Sequence, residues 1–375
     1  MSDATASRER RRSSGRGSAP TGVIRPTGGL YAALDLGTNN CRLLVATPAR
    51  GGFRVVDAYS RIVRLGEGLS QTGRLQPAAM ERAIAALTVC AERLRRRGAP
   101  ELRAIATQAC RSAENGAEFI QRVARETGIQ LQIISPREEA RLSVAGCLTL
   151  LDASADAALV LDVGGGSTEL SWVDLRGQAV DANGRLTGMP PIRAWLSMPV
   201  GVVTLAEHFP EVRPGEQDWY RRMVEDVKAR IDGFPHAEPL REVFASGRAH
   251  LVGTSGAITS LAGIHLNLAR YDRAQVDGLW LTHRECEATA ERLLSLDPTQ
   301  RAAQPCIGPD RADLVLAGAA ILQAVQELWP CERVRVADRG LREGVLLSLM
   351  AKAGGRRRPR RRRPDASATT APAVA

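Results

Sequence analysis

The chain reads YAALDLGTN at residues 31–39 and ALVLDVGGGSTE at residues 158–169. In both stretches an apolar run typical of a buried β-strand ends in Asp, one apolar residue and Gly, and a short polar turn follows. The small residues of such a turn leave backbone N–H groups exposed, and these suit phosphate oxygens. The repeat therefore predicts two similar domains, each contributing one phosphate-binding turn to a shared cleft.

The positive charge of the chain is concentrated at its two ends. The sequence of 375 residues has a formal net charge of +10, of which residues 1–30 carry +4 and residues 351–375 carry +7. The part between them carries −1, which argues against a nucleic-acid-binding domain with a basic surface. Both ends are rich in Arg and lack apolar periodicity, so we predict disordered tails at 1–28 and 354–375. Such tails serve as solubilising extensions or bind a polyanion.

The sequence shows no sign of secretion or membrane insertion. No apolar stretch approaches the roughly 20 residues of a membrane span, and the first residues lack an apolar signal segment. The seven cysteines are scattered without C-x-x-C spacing, which favours reduced core residues over a zinc site. We therefore expect a cytoplasmic protein.

Strand and helix patterns alternate between the two tails. Residues 77–98, for example, show apolar positions at helical spacing, and residues 101–107 form a strand pattern. Such alternation is typical of α/β layers. We place the first domain at residues 29–142, the second at 143–338, and a C-terminal helix at 339–353.

A third turn and several acidic residues accompany the repeat. Gly253-Thr-Ser-Gly256 follows another strand, which makes three turns of the anion-binding type in one chain. Asp35, Asp162 and Glu169 stand at strand ends beside these turns. A carboxylate there would repel a phosphate unless a hard cation lay between them, and this implies Mg²⁺. The alternative is that the aspartates only cap their turns and Glu169 is a solvated strand residue.

Two neighbouring glutamates and one arginine are candidates for phosphoryl chemistry. Glu138 and Glu139 begin a helix between the two domains, where the chain crosses the predicted cleft. Acidic residues in a first turn often only complement the helix dipole, but one that projects into the cleft would deprotonate a water for attack on phosphorus. Arg111 follows a strand, and it would either neutralise charge on the transferred phosphoryl group or form a surface ion pair.

Seven segments, in this order, resemble one known family. They are DLGTN at 35–39, ATQACR at 106–111, IISPREEAR at 133–141, LDVGGGSTE at 161–169, MPVG at 198–201, GTSG at 253–256 and GLREG at 340–344. The chain resembles, over about residues 30–350, the exopolyphosphatase and guanosine pentaphosphate phosphohydrolase (Ppx/GppA) family of the actin-like ATPase superfamily. The resemblance implies two duplicated actin-like (ribonuclease H-like) domains that flank a phosphate-binding cleft.

The resemblance also implies an activity and a set of roles. The activity is Mg²⁺-dependent hydrolysis of the terminal phosphoanhydride of inorganic polyphosphate, with guanosine pentaphosphate as the alternative substrate. By position, Glu139 matches the water-activating base, Asp162 and Glu169 the magnesium-associated acids, and Arg111 the phosphate-neutralising cation. The residues that match the phosphate-binding turns are Gly37, Thr38, Asn39, Gly164, Gly165, Gly166, Ser167, Ser255 and Gly256. A homodimer is an expectation by the same analogy.

Some features depart from the family pattern. Thr38 and Asn40 stand where the family commonly has Ser, and Ala257 stands where Thr is frequent, so we expect one weaker phosphate contact. The matching segments stop before the additional C-terminal helical domain of longer members, which argues against processive action on long chains. Two other classes stay open: a superfamily kinase or ATPase, for which we find no adenosine-binding segment, and a non-catalytic sensor of polyphosphate or alarmone.

Overall fold

The computed structural model of the protein describes residues 29–98, 100–211, 217–235 and 237–356. Within these residues, strands form two mixed sheets and helices pack against both of them. The predicted tails, 1–28 and 354–375, lie outside the described residues, except that 354–356 continue the last helix.

The first sheet is built from the N-terminal part of the chain. Its strands are β1 (Tyr31–Leu36), β2 (Asn40–Ala49), β3 (Gly52–Ile62), β4 (Glu101–Ala106) and β5 (Leu131–Ile133). The strand order is β3-β2-β1-β4-β5, with β1 antiparallel to β2 and parallel to β4. Strands β1, β2 and β3 thus form an antiparallel meander, and the parallel strands β4 and β5 follow on the other side of β1.

The second sheet repeats this topology. Its strands are β6 (Ala157–Val163), β7 (Thr168–Asp174), β8 (Ile192–Met198), β9 (Ala249–Thr254), β10 (Trp280–Thr282) and β11 (Arg333–Ala337). The order is β10-β11-β9-β6-β7-β8, again with the first strand antiparallel to the next and parallel to β9. The predicted α/β fold with two duplicated actin-like domains is confirmed, because β6 occupies in the second sheet the place of β1 in the first.

Helices cover the faces of both sheets. In the first half they are α1 (Leu69–Thr72), α2 (Pro77–Arg96), α3 (Gln108–Ser112), α4 (Gly116–Thr127) and α5 (Pro136–Cys147), followed by a 3₁₀ turn at Leu148–Leu150. In the second half they are α6 (Val202–His208), α7 (Gln217–Ile231), α8 (Ala237–Ala245), α9 (Ser255–His265), α10 (Arg273–Val276), α11 (His283–Leu294), α12 (Pro298–Ala302), α13 (Val315–Leu328) and α14 (Leu341–Arg356). The sequence patterns missed α8, which contains a proline, and β10, which is too short to show an alternation.

The last helix packs against the first domain. Val345, Leu346 and Leu349 of α14 form one apolar cluster with Tyr31 and Leu44 of the first sheet. Helix α14 also has extensive contacts with α5, the helix that leads from the first sheet to the second. Helices α5 and α14 therefore form a pair between the domains, so the C-terminal helix completes the core of the N-terminal half.

The cleft between the domains is spanned by polar contacts. Arg64 Nη1 lies 2.9 Å from Asp313 Oδ2, and its Nη2 donates to Asp313 Oδ1 at 3.0 Å. The Gly68 N–H donates to Glu207 Oε1 at 2.9 Å. These contacts hold the loop after β3 against the second domain, so the cleft is closed on this side.

Two sequence expectations can be compared with the fold. Six of the seven cysteines are buried and Cys331 is half-buried, which confirms them as core residues. No helix among the described residues is both long and apolar enough to cross a bilayer.

Candidate functional site

One cavity between the two sheets is lined by most of the predicted site residues. The turns at Gly37–Asn39 and Gly164–Ser167 lie on its walls, because β1 and β6 end there. Ser255, which follows β9, lines the same cavity, whereas Gly256 lines a neighbouring one. The acidic side chains that line the first cavity are Asp35, Glu139, Asp162, Glu169, Asp338 and Glu343. Turns from three separate segments thus surround one acidic cavity.

The turns after β1 and β6 are closed by the same hydrogen bond. The Gly37 N–H donates to the Asn40 carbonyl at 2.9 Å, and the Gly164 N–H donates to the Ser167 carbonyl at 2.9 Å. Four N–H groups inside the turns donate to no residue that the structure describes; they belong to Thr38, Asn39, Gly165 and Gly166. These groups are available to a ligand, as an anion-binding turn requires.

The two turns are in van der Waals contact with each other. A Cβ atom built on Gly165 would lie 3.0 Å from the Asn39 nitrogen, and one on Gly166 would lie 2.6 Å from Thr38 Oγ1. Gly201 backs the second turn, since its Cβ would lie 2.5 Å from the Gly164 oxygen. Glycine at these positions permits the turns to pack this closely.

The third turn contains a strained residue. Ser255 has a φ of +85°, a value that residues with a Cβ rarely adopt, and its side chain opposes the rise that burial causes in the pKa of Asp162. Strain of this kind persists where the surroundings impose it, and it often occurs at functional sites. The start of α9 and the carboxylate at the end of β6 therefore lie on the same cavity.

The structure distinguishes the two neighbouring glutamates of α5. The Ser135 hydroxyl caps the helix by accepting from the Glu138 N–H at 3.2 Å, which orients the first turn. Glu139 is only 6% exposed and lines the cavity, whereas the Glu138 side chain points away and pairs with Arg103 at 2.5 Å. Glu139 is thus the one that projects into the cleft.

Burial sets the proton affinity of Glu139. It raises the pKa of this carboxyl to about 7, and the nearby carboxylate of Asp162 acts in the same direction. Arg111 opposes the shift, since its Nη1 donates to Glu139 Oε2 at 3.1 Å. A carboxylate with a pKa near 7 suits a general base at neutral pH.

Arg111 lies behind Glu139 and outside the cavity lining. Its guanidinium donates to the Ile134 carbonyl at 2.7 Å and to Gln108 Oε1 at 2.6 Å, besides Glu139. These bonds fix Arg111 in place and hold the glutamate. Its role as the cation that neutralises the phosphoryl group stays a prediction. In the structure, the bonds of Arg111 hold the Glu139 side chain in place.

Asp162 and Glu169 face each other on neighbouring strands. They are directly opposite in the β6–β7 register, so both side chains leave the same face of the sheet. The Ser143 hydroxyl donates to Asp162, and the Ser197 hydroxyl donates to Glu169 at 2.9 Å. Burial nevertheless raises the pKa of both carboxyls, and the charge of Asp162 adds to the rise at Glu169.

Two cavity-lining arginines were not assigned a role from the sequence. Arg42 lies opposite Asp35 in the β1–β2 register, and Arg342 stands in the GLREG segment at the start of α14. Burial raises the pKa of Asp35 to about 6, and the two arginines oppose that rise. Arg42 and Arg342 therefore place positive charge in the wall of the cavity.

The internal repeat contains a signal for Arg42. Arg42 stands seven residues after Asp35, as Glu169 stands seven residues after Asp162. Each of these pairs is also directly opposite in its own sheet. Superposing the two repeats would therefore have placed Arg42 in the cleft.

These features define a class of protein: two duplicated actin-like domains around a cleft walled by anion-binding turns. The chain belongs to the Ppx/GppA phosphatase family, whose model matches residues 44–353. The prediction of an enzyme that hydrolyses phosphoanhydrides is thereby confirmed.

One sequence relative and two solved structures are similar to this chain. Exopolyphosphatase 2 of Mycobacterium tuberculosis is 31% identical over 335 residues, which cover 85% of this chain and 98% of the relative. The crystal structure of the Aquifex aeolicus member of the Ppx/GppA family has a TM-score of 0.69 and 28% identity, covering 87% of this chain and 98% of that one. An exopolyphosphatase from Cytophaga hutchinsonii, with a TM-score of 0.74, 22% identity, and coverage of 86% and 98%, supports the fold.

Proposed function

We propose that the protein removes the terminal phosphate of inorganic polyphosphate, with Glu139 as the base and Mg²⁺ as the cofactor. The composition of the cavity wall is the observation that supports polyphosphate as the substrate. Among the described residues that line it, the apolar side chains are those of Ala337 and Leu341, and none is aromatic. A guanine base would find no ring to stack on, whereas a phosphate chain finds free N–H groups and arginines.

The residues of the cavity supply a complete set of roles for hydrolysis. The N–H groups of the two turns bind the oxygens of the terminal phosphoryl group and hold it against the wall. Glu139, held by Arg111, accepts a proton from the attacking water. Arg42 and Arg342 balance charge on the phosphate chain. The closed contact between the turns excludes bulk water from the reacting group.

The carboxylates fit a divalent cation. Asp35 Oδ1 is buried and has no hydrogen-bond partner among the described residues, and the negative charge of Asp162 raises the pKa of Asp35. No group of three or more potential ligands is gathered at one point in the described part of the chain. This arrangement suits Mg²⁺, which uses one or two carboxylates and completes its shell with water and substrate oxygens. Asp162 and Glu169 are the two carboxylates that would hold the ion, which would offset charge on the phosphate.

We expect Mg²⁺ to stabilise the fold at pH 8 and not at pH 5. The folded protein keeps a proton on Glu139 up to a pKa of about 7, against an ordinary value of 4.5. The folded state therefore binds more protons than the unfolded state between these values, so stability falls as the pH rises, on the order of 3 kcal/mol for this group. The proposed ligands Asp162 and Glu169 also have pKa values raised by burial, so they hold Mg²⁺ only once the pH has risen enough to deprotonate them. Mg²⁺ should therefore restore several degrees of Tm at pH 8, as measured by thermal denaturation.

Two variants test whether the rise in Tm comes from Mg²⁺ bound at these carboxylates. Asp162→Asn should lose the Mg²⁺-dependent rise in Tm at pH 8, and Asp232→Asn, which changes an exposed aspartate, should keep it. An equal rise at pH 5 and pH 8, or a rise that persists in Asp162→Asn, would contradict a magnesium site at these carboxylates.

We expect faster phosphate release from long-chain polyphosphate than from guanosine pentaphosphate, measured in parallel with Mg²⁺. Long-chain polyphosphate offers a further phosphate to an arginine of the cleft, and this contact is a charge-assisted hydrogen bond. kcat/KM for polyphosphate should therefore exceed that for guanosine pentaphosphate by about tenfold or more. Faster release from guanosine pentaphosphate would favour the alternative substrate. Binding of polyphosphate without any release would favour a sensor.

Three further expectations stay predictions. They are the cytoplasmic location, the homodimer, and polyanion binding by the tails at 1–28 and 354–375.

A further inference from the structure

We infer that Ser143 is a positioning residue, which holds the Asp162 carboxylate in the orientation in which it binds Mg²⁺. This inference rests on the proposed function, because it assumes a magnesium ion at Asp162 and Glu169. Ser143 lies in α5, outside the lining of the cavity, and its hydroxyl donates to Asp162 Oδ2. The hydrogen bond joins the helix that carries Glu139 to the strand that carries Asp162.

The place of Ser143 on α5 relates it to the proposed base. Ser143 follows Glu139 by four residues, so the two side chains lie one turn apart on the same face of the helix. Glu139 lines the cavity, and Ser143 is only 1% exposed. Helix α5 also contacts β6 and β7, the strands that carry Asp162 and Glu169. One face of α5 therefore carries both the proposed base and the serine that holds Asp162.

The Ser143 hydroxyl is used differently from other hydroxyls inside helices. Such hydroxyls commonly donate to the carbonyl four residues earlier in their own helix. The residues that do so here include Thr127, Thr259, Ser260 and Thr289. Ser143 instead donates to a carboxylate in another element. Its hydroxyl therefore holds a separate part of the fold in place.

The strands beside Asp162 do not supply this hydrogen bond. On one side the residue opposite Asp162 is Glu169, a second carboxylate, which repels it. On the other side it is Thr254, whose hydroxyl donates to the Arg339 carbonyl at 2.6 Å. The orientation of Asp162 thus depends on a donor from outside the sheet, and α5 supplies it.

Glu169 differs from Asp162 in this respect. Ser197 lies directly opposite Glu169 in the β7–β8 register, and its hydroxyl donates to Glu169 Oε1 at 2.9 Å. The pairing of the strands alone brings that serine to its carboxylate. The contact between Ser143 and Asp162 requires in addition that α5 packs correctly on the second sheet.

The consequence of this contact is a higher affinity for Mg²⁺. The bond from Ser143 goes to Oδ2, so the other oxygen of Asp162 is left for the cation. Groups that orient a ligating carboxylate in this way typically change metal affinity by about 10–100-fold when they are removed. Because the hydroxyl is neutral, its removal leaves the charge of the site unchanged. We therefore expect an effect on Mg²⁺ binding and not on the binding of polyphosphate.

The test is a titration of Ser143→Ala with Mg²⁺ at pH 8, without substrate, in which the rise in Tm above the metal-free value is measured. The curve of this rise against Mg²⁺ concentration should move to concentrations about tenfold higher or more. The Mg²⁺ concentration that gives half-maximal phosphate release should increase by a similar factor. At saturating Mg²⁺, kcat and KM for polyphosphate should stay within about threefold of wild type. A purely structural role would lower Tm without moving the curve.

Three further variants complete the comparison. Ser143→Thr keeps the hydroxyl and should restore most of the affinity for Mg²⁺. The control is Thr289→Val, which removes a buried hydroxyl of α11 that donates to the Glu285 carbonyl at 2.7 Å and lies outside the cavity lining. Its Mg²⁺ curve should match that of wild type. If Ser143→Ala does not fold, Ser143→Cys, whose thiol is only a weak donor, gives the same comparison.

The other outcomes separate the two proposals. A wild-type Mg²⁺ curve in Ser143→Ala, or a displaced curve that Ser143→Thr does not restore, would overturn the role of the hydroxyl while leaving the magnesium site intact. A wild-type protein whose Tm does not respond to Mg²⁺ at pH 8 would instead overturn the magnesium site of the proposed function.

Discussion

Glu139→Gln should lower kcat for polyphosphate by about 10²–10⁴-fold, the range that a general base contributes. The amide keeps the size of the side chain and an oxygen that can accept from Arg111, so the site keeps its shape. KM should change little, because Glu139 is proposed to act on the water and not on the phosphate chain. Steady-state phosphate release at pH 8 with saturating Mg²⁺ measures both constants.

Glu138→Gln is the control for this variant. Glu138 precedes Glu139 in the same helical turn, but it forms a half-buried ion pair with Arg103 and does not line the cavity. Its kcat should stay within about twofold of wild type, since the Glu138 side chain lies outside the cavity. Tm of Glu139→Gln should equal or exceed that of wild type at pH 8, because the substitution removes a buried charge. Loss of less than tenfold in kcat would show that Glu139 is not the base.

Much of the fold could be predicted because the internal repeat is visible as a short local sequence pattern. An apolar strand followed by Asp-x-Gly occurs at residues 31–37 and 158–164, and each copy begins an equivalent sheet. Packing between residues that are far apart in the chain leaves no such local pattern. The contact of α14 with the first sheet joins residues about 300 positions apart, and nothing in the GLREG segment alone indicates which domain it contacts.

The local sequence indicates which turns line the cavity, but it does not indicate which charged side chains do. Glycine turns after strands have a recognisable local pattern, whereas the direction of a long charged side chain depends on register and burial. Arg42 lies within an apolar strand and faces the cleft because it stands opposite Asp35. Arg111 follows a strand end, as predicted, but bonds to Ile134 and Glu139 turn it away from the cavity lining.

Gly344→Ala should destabilise the fold and lower activity together. Helices α5 and α14 cross at glycines: a Cβ on Gly344 would overlap the Leu142 carbonyl oxygen, and one on Gly146 would overlap that of Gly340. Because the overlap is with backbone, no rotamer change can relieve it and the helices must separate. Overpacking of this kind costs about 1–3 kcal/mol or more, which exceeds the gain of up to about 1 kcal/mol from replacing a helical glycine by alanine. We expect Tm to fall by several degrees.

The same separation should reach the active site, because α5 carries Glu139 and α14 carries Arg342. We therefore expect kcat of Gly344→Ala to fall about tenfold or more even at temperatures where the protein stays folded, since a displacement near 1 Å of a reacting group can cost that much. Gly233→Ala is the control: its Cβ would meet no atom within 4 Å, so Tm and kcat should match wild type. A Gly344→Ala protein with wild-type Tm and kcat would mean that the α5–α14 crossing does not set the geometry of the cleft.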